Sequence, residues 1–409
     1  MRVIHLSNGI NGGAGRAAYI LHSELISNGI QSYMLCGEFN ESNDFIKLNI
    51  INRISLKLCA LYSKISRRLS SLLLNSKPAF LGLFTPRNIV MEDTLYKIFE
   101  NTDIVVIHWI SEFISISSLD KVFNDLPSEK RPMVIFSNFD MAHYTGGCHF
   151  SFGCTGYKYG CDECPYTNSF YLQRLIANNN LIKSMFISNY RASAVSFSEY
   201  TTHQSRVSSM SFSKSEKYNF PIRQAMDKKE RNKKNKGIVN LFLGAFNKSD
   251  YRKGYNRSIL VFNKLKLLDP KLFCMLNVHI PKGEKGHLVD IGMNIVEYDY
   301  MSSEKEIMKY LEECDVYFNA TYDEQGPTML LMAALSGTSY FSSAVGMSKE
   351  LVEDGYSGCI IDDWNIDEVT RKFRDYLINI EINKPIANRR SEHIKFSDIV
   401  KNSTSERLI

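Results

Sequence analysis

Apolar residues in this chain fall into short runs that close in glycine loops, and the runs alternate with stretches of helical spacing. Arg2 to Leu6 is the first run, ending in the loop Gly9 to Gly15. Ala17, Leu21 and Leu25 then recur every fourth residue, one face of a helix that Gly29 stops. Ser32 to Cys36 reads as the next strand, and Ile104 to Ile107 and Met133 to Phe136 as two more, each leading into a polar loop. The pattern restarts at Ile238 to Leu243 with Gly244. Farther on, Val316, Phe318 and Ala320 alternate as a half-buried strand does, and Glu324-Gln325-Gly326-Pro327 makes a turn. Met329 to Leu335 is a helical apolar run with Thr328 at its start and Gly337 as its cap, and Tyr340-Phe341 begins another strand. Phe373, Tyr376 and Leu377 stand at helical spacing near the end.

A strand-loop-helix-strand opening that occurs twice predicts an α/β chain of two Rossmann-like domains. The ligand crevice is then expected outside the C-terminal ends of the strands. The expected boundaries are 1–222 for the first domain, with a cysteine-rich insert at 146–166, then 237–375 for the second and 376–409 for a helical tail. The charged run KKERNKKNK at 228–236 is the expected linker.

At 409 residues the chain is long enough for two cores. A hydrophobic content of 44% and a charged content of 23% are those of an ordinary soluble protein. The net charge of +5 is mild and no aromatic-interleaved basic stripe accompanies it, which argues against nucleic acid. No apolar run reaches the roughly 18 residues of a membrane span. The start MRVIHLSNGINGG turns polar after six residues, so it is a strand rather than a signal peptide, and cytoplasmic residence is expected. Cys36, Cys59, Cys274, Cys314 and Cys359 are scattered singly in apolar runs, as reduced core residues are.

Several clusters carry chemistry. Glu324 beside the helix start at Thr328 suits a polar, phosphorylated ligand, the acid holding hydroxyls while backbone amides face an anion. Arg252-Lys253-Gly254, on the loop after Gly244, can neutralise a diphosphate; a two-residue basic step is otherwise solvated surface. The loop Asn11-Gly12-Gly13-Ala14-Gly15-Arg16 lets a ligand approach the backbone closely. Gly13, Gly15 and Ala18, with Glu38 after the second strand, also satisfy a dinucleotide fingerprint. About six residues separate Leu6 from Gly13, however, where that fingerprint wants its first glycine directly after the strand. A purely structural turn is the third reading.

Cys148, Cys154, Cys161 and Cys164 lie in GGCHFSFGCTGYKYGCDECP, a density of thiols that suits a structural zinc, with His143 and His149 as alternates. Two disulfides and four free thiols are the competing readings. His108-Trp109 closes a strand, which alone reads as a core histidine beside a packed Trp. Ile54 to Leu74 is amphipathic, with Lys57, Lys64, Arg67 and Arg68 among its leucines and isoleucines. It is either a surface helix or a membrane-docking one. Asp162-Glu163 is not the Asp-x-Asp of metal-dependent transfer enzymes, so catalysis without a metal is expected.

The block around Glu324 resembles the donor-sugar site of retaining glycosyltransferases of the two-domain GT-B fold, in particular glycosyltransferase family 4. That family carries two glutamates eight residues apart. Glu324 stands at the first, Gly326-Pro327 at the turn and Gly337-Thr338 at the helix end, but Met332 occupies the second position. The resemblance puts Lys253 on the family's diphosphate lysine. Ala245 stands where its second basic residue would be, leaving Arg252 to serve. Thr145, Gly146, Gly147, Cys148, His149 and Asp140 are similar to a cysteine-bearing subgroup of bacterial polysaccharide enzymes, with Phe139 in place of a histidine. In that subgroup a His-Trp pair lies at the floor of the acceptor cleft.

The resemblance implies two Rossmann-like domains facing a central cleft, with a C-terminal helix crossing back to the first. It implies retaining transfer of a hexose from a nucleotide-diphosphate donor to a lipid-linked or growing surface polysaccharide, such as O-antigen, capsule or exopolysaccharide. No catalytic cofactor is needed, and peripheral membrane contact is implied. Glu324 and Asp140 are the implied catalytic residues. Gly12, Gly13, Arg16, Gly244, Arg252, Lys253, Gly326, Pro327, Thr328, Met329 and Met332 would bind the donor, and His108, Trp109 and His149 would lie on the acceptor side. Alternatives are an epimerase or phosphorylase on the same fold, an NAD oxidoreductase, and a transfer-dead sugar-binding or assembly protein, the last favoured by Met332 and Phe139.

Overall fold

The computed structural model describes residues 1–37, 42–74, 85–221, 237–244, 249–284, 286–301, 303–326, 328–353, 358–379 and 394–405. Glu38, the 228–236 run, Ala245 and Pro327 therefore lie outside the described residues. The chain divides into two compact units, Met1–Pro221 with Glu392–Ile409, and Ile222–Ser391.

In the first unit, β1 (Arg2–Ser7), β2 (Gln31–Cys36), β3 (Ile104–Ile107), β4 (Met133–Ser137), β5 (Ser193–Ser196) and β6 (Ser215–Lys217) form a sheet in the order β2-β1-β3-β4-β5-β6. Every pairing is parallel. A parallel sheet is covered on both faces, which is why β3 is buried at all four of its residues. The helix α1 (Gly12–Ser27) buries Ala17, Ala18, Leu21, His22 and Leu25 against the sheet. The chain leaves β1 for β2 on one side and returns to β3 on the other, so the switch point lies between β1 and β3.

The helix α2 (Ile50–Ser70) departs from the usual rule. It turns Asn52, Leu56 and Ser63 inward and leaves Ile54, Leu58, Leu61 and Ile65 exposed. The last helix, Phe396–Ser405, belongs to this unit, as the fold class implied. Phe396 is fully buried against His5 and Tyr218, and the Ser397 N–H donates to Glu24 Oε1 at 3.2 Å.

The second unit holds β7 (Val239–Leu243), β8 (Leu276–Pro281), β9 (Asn294–Tyr298), β10 (Val316–Asn319), β11 (Ser339–Ser343) and β12 (Gly358–Ile361). They form a parallel sheet in the order β12-β11-β10-β7-β8-β9. Its switch point lies between β7 and β10. Phe318 on β10 and Phe341 on β11 stack at 5.5 Å, and Phe373 packs 4.9 Å from each, joining a helix to the sheet. The 375/376 boundary expected from the sequence falls inside the Ile366–Ile378 helix, whose Phe373, Tyr376 and Leu377 all bury in this core.

Candidate active site

In the second unit, the loops leaving β7 and β10 meet at the switch point. After β7 the chain makes a short turn, Tyr251–Lys253, capped by the Asp250 side chain. Gly254 then starts the Tyr255–Leu268 helix at φ 70°, and a Cβ there would stand 1.9 Å from the Ala320 carbonyl oxygen, so only glycine fits. The Tyr322 N–H donates to the Arg252 carbonyl at 2.8 Å and ties the two loops together. Tyr251 stacks on Tyr322 at 4.6 Å, and the Arg257 guanidinium lies 3.5 Å from the Tyr322 ring, a cation–π contact that fixes the loop further.

This frame holds three charged groups together. Arg252 Nη1 and Lys253 Nζ both donate to Glu324 Oε2, each at 2.6 Å, while Arg252 Nη2 reaches Asp250 Oδ2 at 3.2 Å. Burial by itself pushes the Glu324 carboxyl up, but the Lys253 and Arg252 charges and hydrogen bonds outweigh it and hold the group down at about 2. The carboxylate is therefore ionised at any physiological pH. Gly244 packs against Tyr317 and donates to the Phe318 carbonyl at 2.8 Å. Gly326 is buried, Thr328 and Met329 are half-buried at the start of the Thr328–Leu335 helix, and Met332 is 5% exposed.

In the first unit, Asn8 joins three strand ends. Its N–H donates to the Trp109 carbonyl at 2.8 Å, its side-chain amide donates to the Ser111 carbonyl at 2.9 Å, and its own carbonyl accepts from Gly37. Around it lies a cavity of about 410 Å³ whose walls include Trp109. Gly12 and Gly13 open α1 without close neighbours, while a Cβ at Gly15 would stand 2.5 Å from the Gly9 carbonyl oxygen. Gly15 is thus required by the turn itself.

His108 is fully buried and does not line that cavity. Its Nε2 shares a 2.8 Å hydrogen bond with His5 Nδ1, the two rings stack at 5.1 Å, and its carbonyl accepts from His143 at 2.9 Å. Burial, reinforced by His143 and His22, lowers its pKa to about 3. It is the core-histidine reading that this geometry matches. His149 Nδ1 hydrogen-bonds Asp140 Oδ2 at 2.6 Å and packs edge-on to Trp109 at 5.8 Å, so Asp140, His149 and Trp109 do come together.

The cysteines share one loop region. Burial first, and then Cys164, Cys161 and Cys154, push the Cys148 thiol up. The Gly146 N–H donates to Cys161 Sγ at 3.2 Å and the Gly156 N–H to Cys154 Sγ at 3.4 Å. Yet among the described residues no three His, Cys, Asp or Glu side chains are gathered into a set that could hold a metal ion. The zinc centre expected from the spacing is not found among the described residues, where Cys161 and Cys154 accept backbone amide hydrogen bonds.

Residues 223–392 match the model of the family described as Glycosyl transferases group 1. The chain carries a domain of that family. Nothing among the curated proteins matches the chain. Among solved structures, Anabaena HepE in complex with UDP-glucose is similar at 11% identity over 100% of this chain and 99% of its own, with a TM-score of 0.57. A glycosyltransferase from Rickettsia africae matches at 12% identity over 93% and 88%, with a TM-score of 0.56. WaaG, a glycosyltransferase involved in lipopolysaccharide biosynthesis, matches at 12% identity over 93% and 92%, with a TM-score of 0.55. At such identities the likeness establishes the fold, which is GT-B.

Within the group 1 domain, the geometry gathers Arg252, Lys253 and Glu324, three of the residues singled out from sequence. Sequence reasoning missed Asp250 and Tyr322, which orient Arg252 and its loop, and in the first unit it missed Asn8, Lys47, Arg53 and Glu112 around the cavity. None of these belongs to a motif. Only the polar loop after β1 signalled Asn8.

Proposed function

We propose that the chain is a retaining glycosyltransferase that needs no metal ion at the reacting centre. It would move a hexose from a nucleoside diphosphate donor to a lipid-linked or growing surface saccharide. The observation that carries this reading is the convergence of Arg252 and Lys253, after β7, on Glu324, after β10, within a group 1 domain. Arg252 offers a planar fork and Lys253 a point charge, two complementary ways to hold phosphate oxygens. With a donor bound, they neutralise the diphosphate and the charge that develops on it as the glycosidic bond breaks. Glu324 then accepts hydrogen bonds from the sugar's hydroxyls, and the backbone at Gly326, Thr328 and Met329 offers amides at a helix start.

The UDP-glucose bound by the Anabaena protein supports a nucleotide-hexose donor, and the role of WaaG supports a surface saccharide as product. We assign Asp140, Trp109 and His149 to the acceptor, and Gly12, Gly13 and Arg16 to donor binding as the resemblance implies. The outward apolar stripe of α2, flanked by Lys64 and Arg68, supports a peripheral contact with an anionic membrane surface. Among the described residues no helix is long and apolar enough to cross a membrane.

A second reading, a transfer-dead sugar-binding or assembly protein, is favoured by Met332 and by Phe139. Phe139 packs among Phe197, Phe220 and His108 rather than offering a polar atom. Incubation with UDP-, GDP-, dTDP- and ADP-sugars without acceptor separates the two. Slow release of free nucleotide from one donor is the expected result. A donor that binds and is never cleaved, with or without saccharide acceptors, supports the transfer-dead protein.

A further inference from the structure

We infer that Tyr251 is a stacking platform for a pyranose ring of the saccharide that receives the sugar, and so helps to decide which saccharide the protein accepts. This rests on the glycosyltransferase reading and adds to it a saccharide contact on the second unit. Tyr251 is 56% exposed although its ring lies on Tyr322, with centroids 4.6 Å apart and planes inclined by 19°. The Arg257 guanidinium carbon stands over the same Tyr322 ring, 3.5 Å from its centroid. Two groups that close cannot share one face, so Tyr251 and Arg257 cover opposite faces of Tyr322.

Beyond Arg257 comes Trp364, whose ring is 5.0 Å from the guanidinium carbon, and Trp364 in turn packs edge-on against the fully buried Phe318 of β10. Tyr251, Tyr322, Arg257 and Trp364 thus form a column that is seated on the core at one end and closes with the exposed Tyr251 ring at the other. Asn256 Nδ2 donates to the Tyr322 hydroxyl at 3.1 Å, and the Tyr322 N–H is fastened to the Arg252 carbonyl. A ring held this way loses little conformational freedom when a ligand settles on it. An aromatic face carries partial negative charge, and a pyranose turns C–H groups of the opposite polarity to it while its hydroxyls point outward.

A nucleobase also stacks on aromatic rings, so position decides between the two. The column is tied to the Tyr255–Leu268 helix through Asn256 and Arg257, and to the loop before the Ile366–Ile378 helix through Trp364. Those two helices cover the sheet face to which Leu243 and Phe318 turn. The Thr328–Leu335 helix packs beside the Glu304–Leu311 helix, whose Tyr310 lies against Phe242 on the opposite face. A donor laid from the Arg252–Lys253 turn along Thr328 and Met332 therefore runs away from the column, and the Tyr251 ring is left for a second molecule beside the reacting sugar.

The test titrates methyl β-glucoside, methyl β-galactoside and methyl N-acetyl-β-glucosaminide into the full-length protein, with the nucleoside diphosphate that it binds held at saturation. Sorbitol, which has the hydroxyls without a ring face, is the control. Wild type should bind at least one glycoside and not sorbitol. Tyr251→Phe, which keeps the ring, should bind that glycoside as wild type does. Tyr251→Ala should lose at least about fivefold, the scale of one aromatic contact, with no comparable loss for the nucleotide. Equal glycoside affinity in wild type and Tyr251→Ala overturns the inference, as does sorbitol binding as well as the glycoside. A loss for the nucleotide as large as for the glycoside also overturns it, making the column a nucleobase platform or a support of the Arg252 loop. Binding of a donor but of no glycoside overturns the inference alone. If none of UDP-, GDP-, dTDP- and ADP-glucose binds wild type, the glycosyltransferase reading fails and this inference with it.

Discussion

Arg252 and Lys253 donate to the same carboxylate oxygen, Oε2 of Glu324, each at 2.6 Å. The two cations suited to a diphosphate are thus partnered by the acid suited to the sugar. On the proposed function, a donor entering this site would replace the carboxylate on both cations and leave it free for hydroxyls. The ion cluster would then have two alternative pairings, with the ligand selecting between them.

Glu324→Gln tests that exchange. The amide keeps the shape but loses the charge that competes for Arg252 and Lys253, so UDP should bind at least as tightly as to wild type. Turnover should fall by about 10–1000-fold, the range for removing one group that stabilises developing charge. Titration and steady-state rates measure the two effects separately. Weaker UDP binding in the variant contradicts the exchange.

The buried histidines set an acid limit on stability. Burial lowers His5 well below its ordinary value, with His108 and His22 adding to the effect, and lowers His108 to about 3 and His143 to about 4. Each is neutral in the folded chain, whereas in the unfolded chain it takes up a proton near pH 6.5. The unfolded state therefore binds more protons below that pH. The contribution is complete above about pH 6.5 and is lost as pH falls towards 4 and then 3. Urea midpoints should decline steadily from pH 7 to pH 4.5, with His108→Gln flattening the decline. A midpoint independent of pH over that range speaks against the histidine core.

The outward stripe of α2 predicts how the protein meets lipid. Leu61→Ser/Ile65→Ser should abolish sedimentation with anionic vesicles while leaving the melting temperature nearly unchanged, because both side chains are already exposed. Lys64→Gln/Arg68→Gln should weaken it by roughly 1 kcal/mol per charge at low salt. Arg67 should contribute less, since Glu112 already engages it. Wild-type protein that stays in the supernatant at low salt makes the stripe a surface for something else.

Much of the fold was legible because parallel strands, buried on both faces, read as apolar runs closing in glycine. Ile104 to Ile107 matches β3 residue for residue, and the runs at 2–6, 32–36, 133–136 and 238–243 differ from β1, β2, β4 and β7 by one residue at an end. The pairings were not legible. Glu324 lies about 70 residues from Arg252 and Lys253, and His5 lies 103 from His108, so only the sheet order brings them together. The amphipathic pattern of α2 was visible, but periodicity alone does not say which face turns inward, and here Asn52 and Ser63 do. The cysteine spacing suggested a ligand set, and among the described residues no group of side chains that could hold a metal is gathered.

The central claim is that the group 1 domain binds a nucleoside diphosphate sugar through Lys253 and its partners, and calorimetric titration of UDP-, GDP-, dTDP- and ADP-glucose into wild type and Lys253→Ala tests it most directly. At least one donor should bind wild type, and Lys253→Ala should weaken that donor by about 1.5–3 kcal/mol, the range for a hydrogen bond to a charged group. Equal affinity in the two proteins, or no binding of any donor to wild type, would contradict the account.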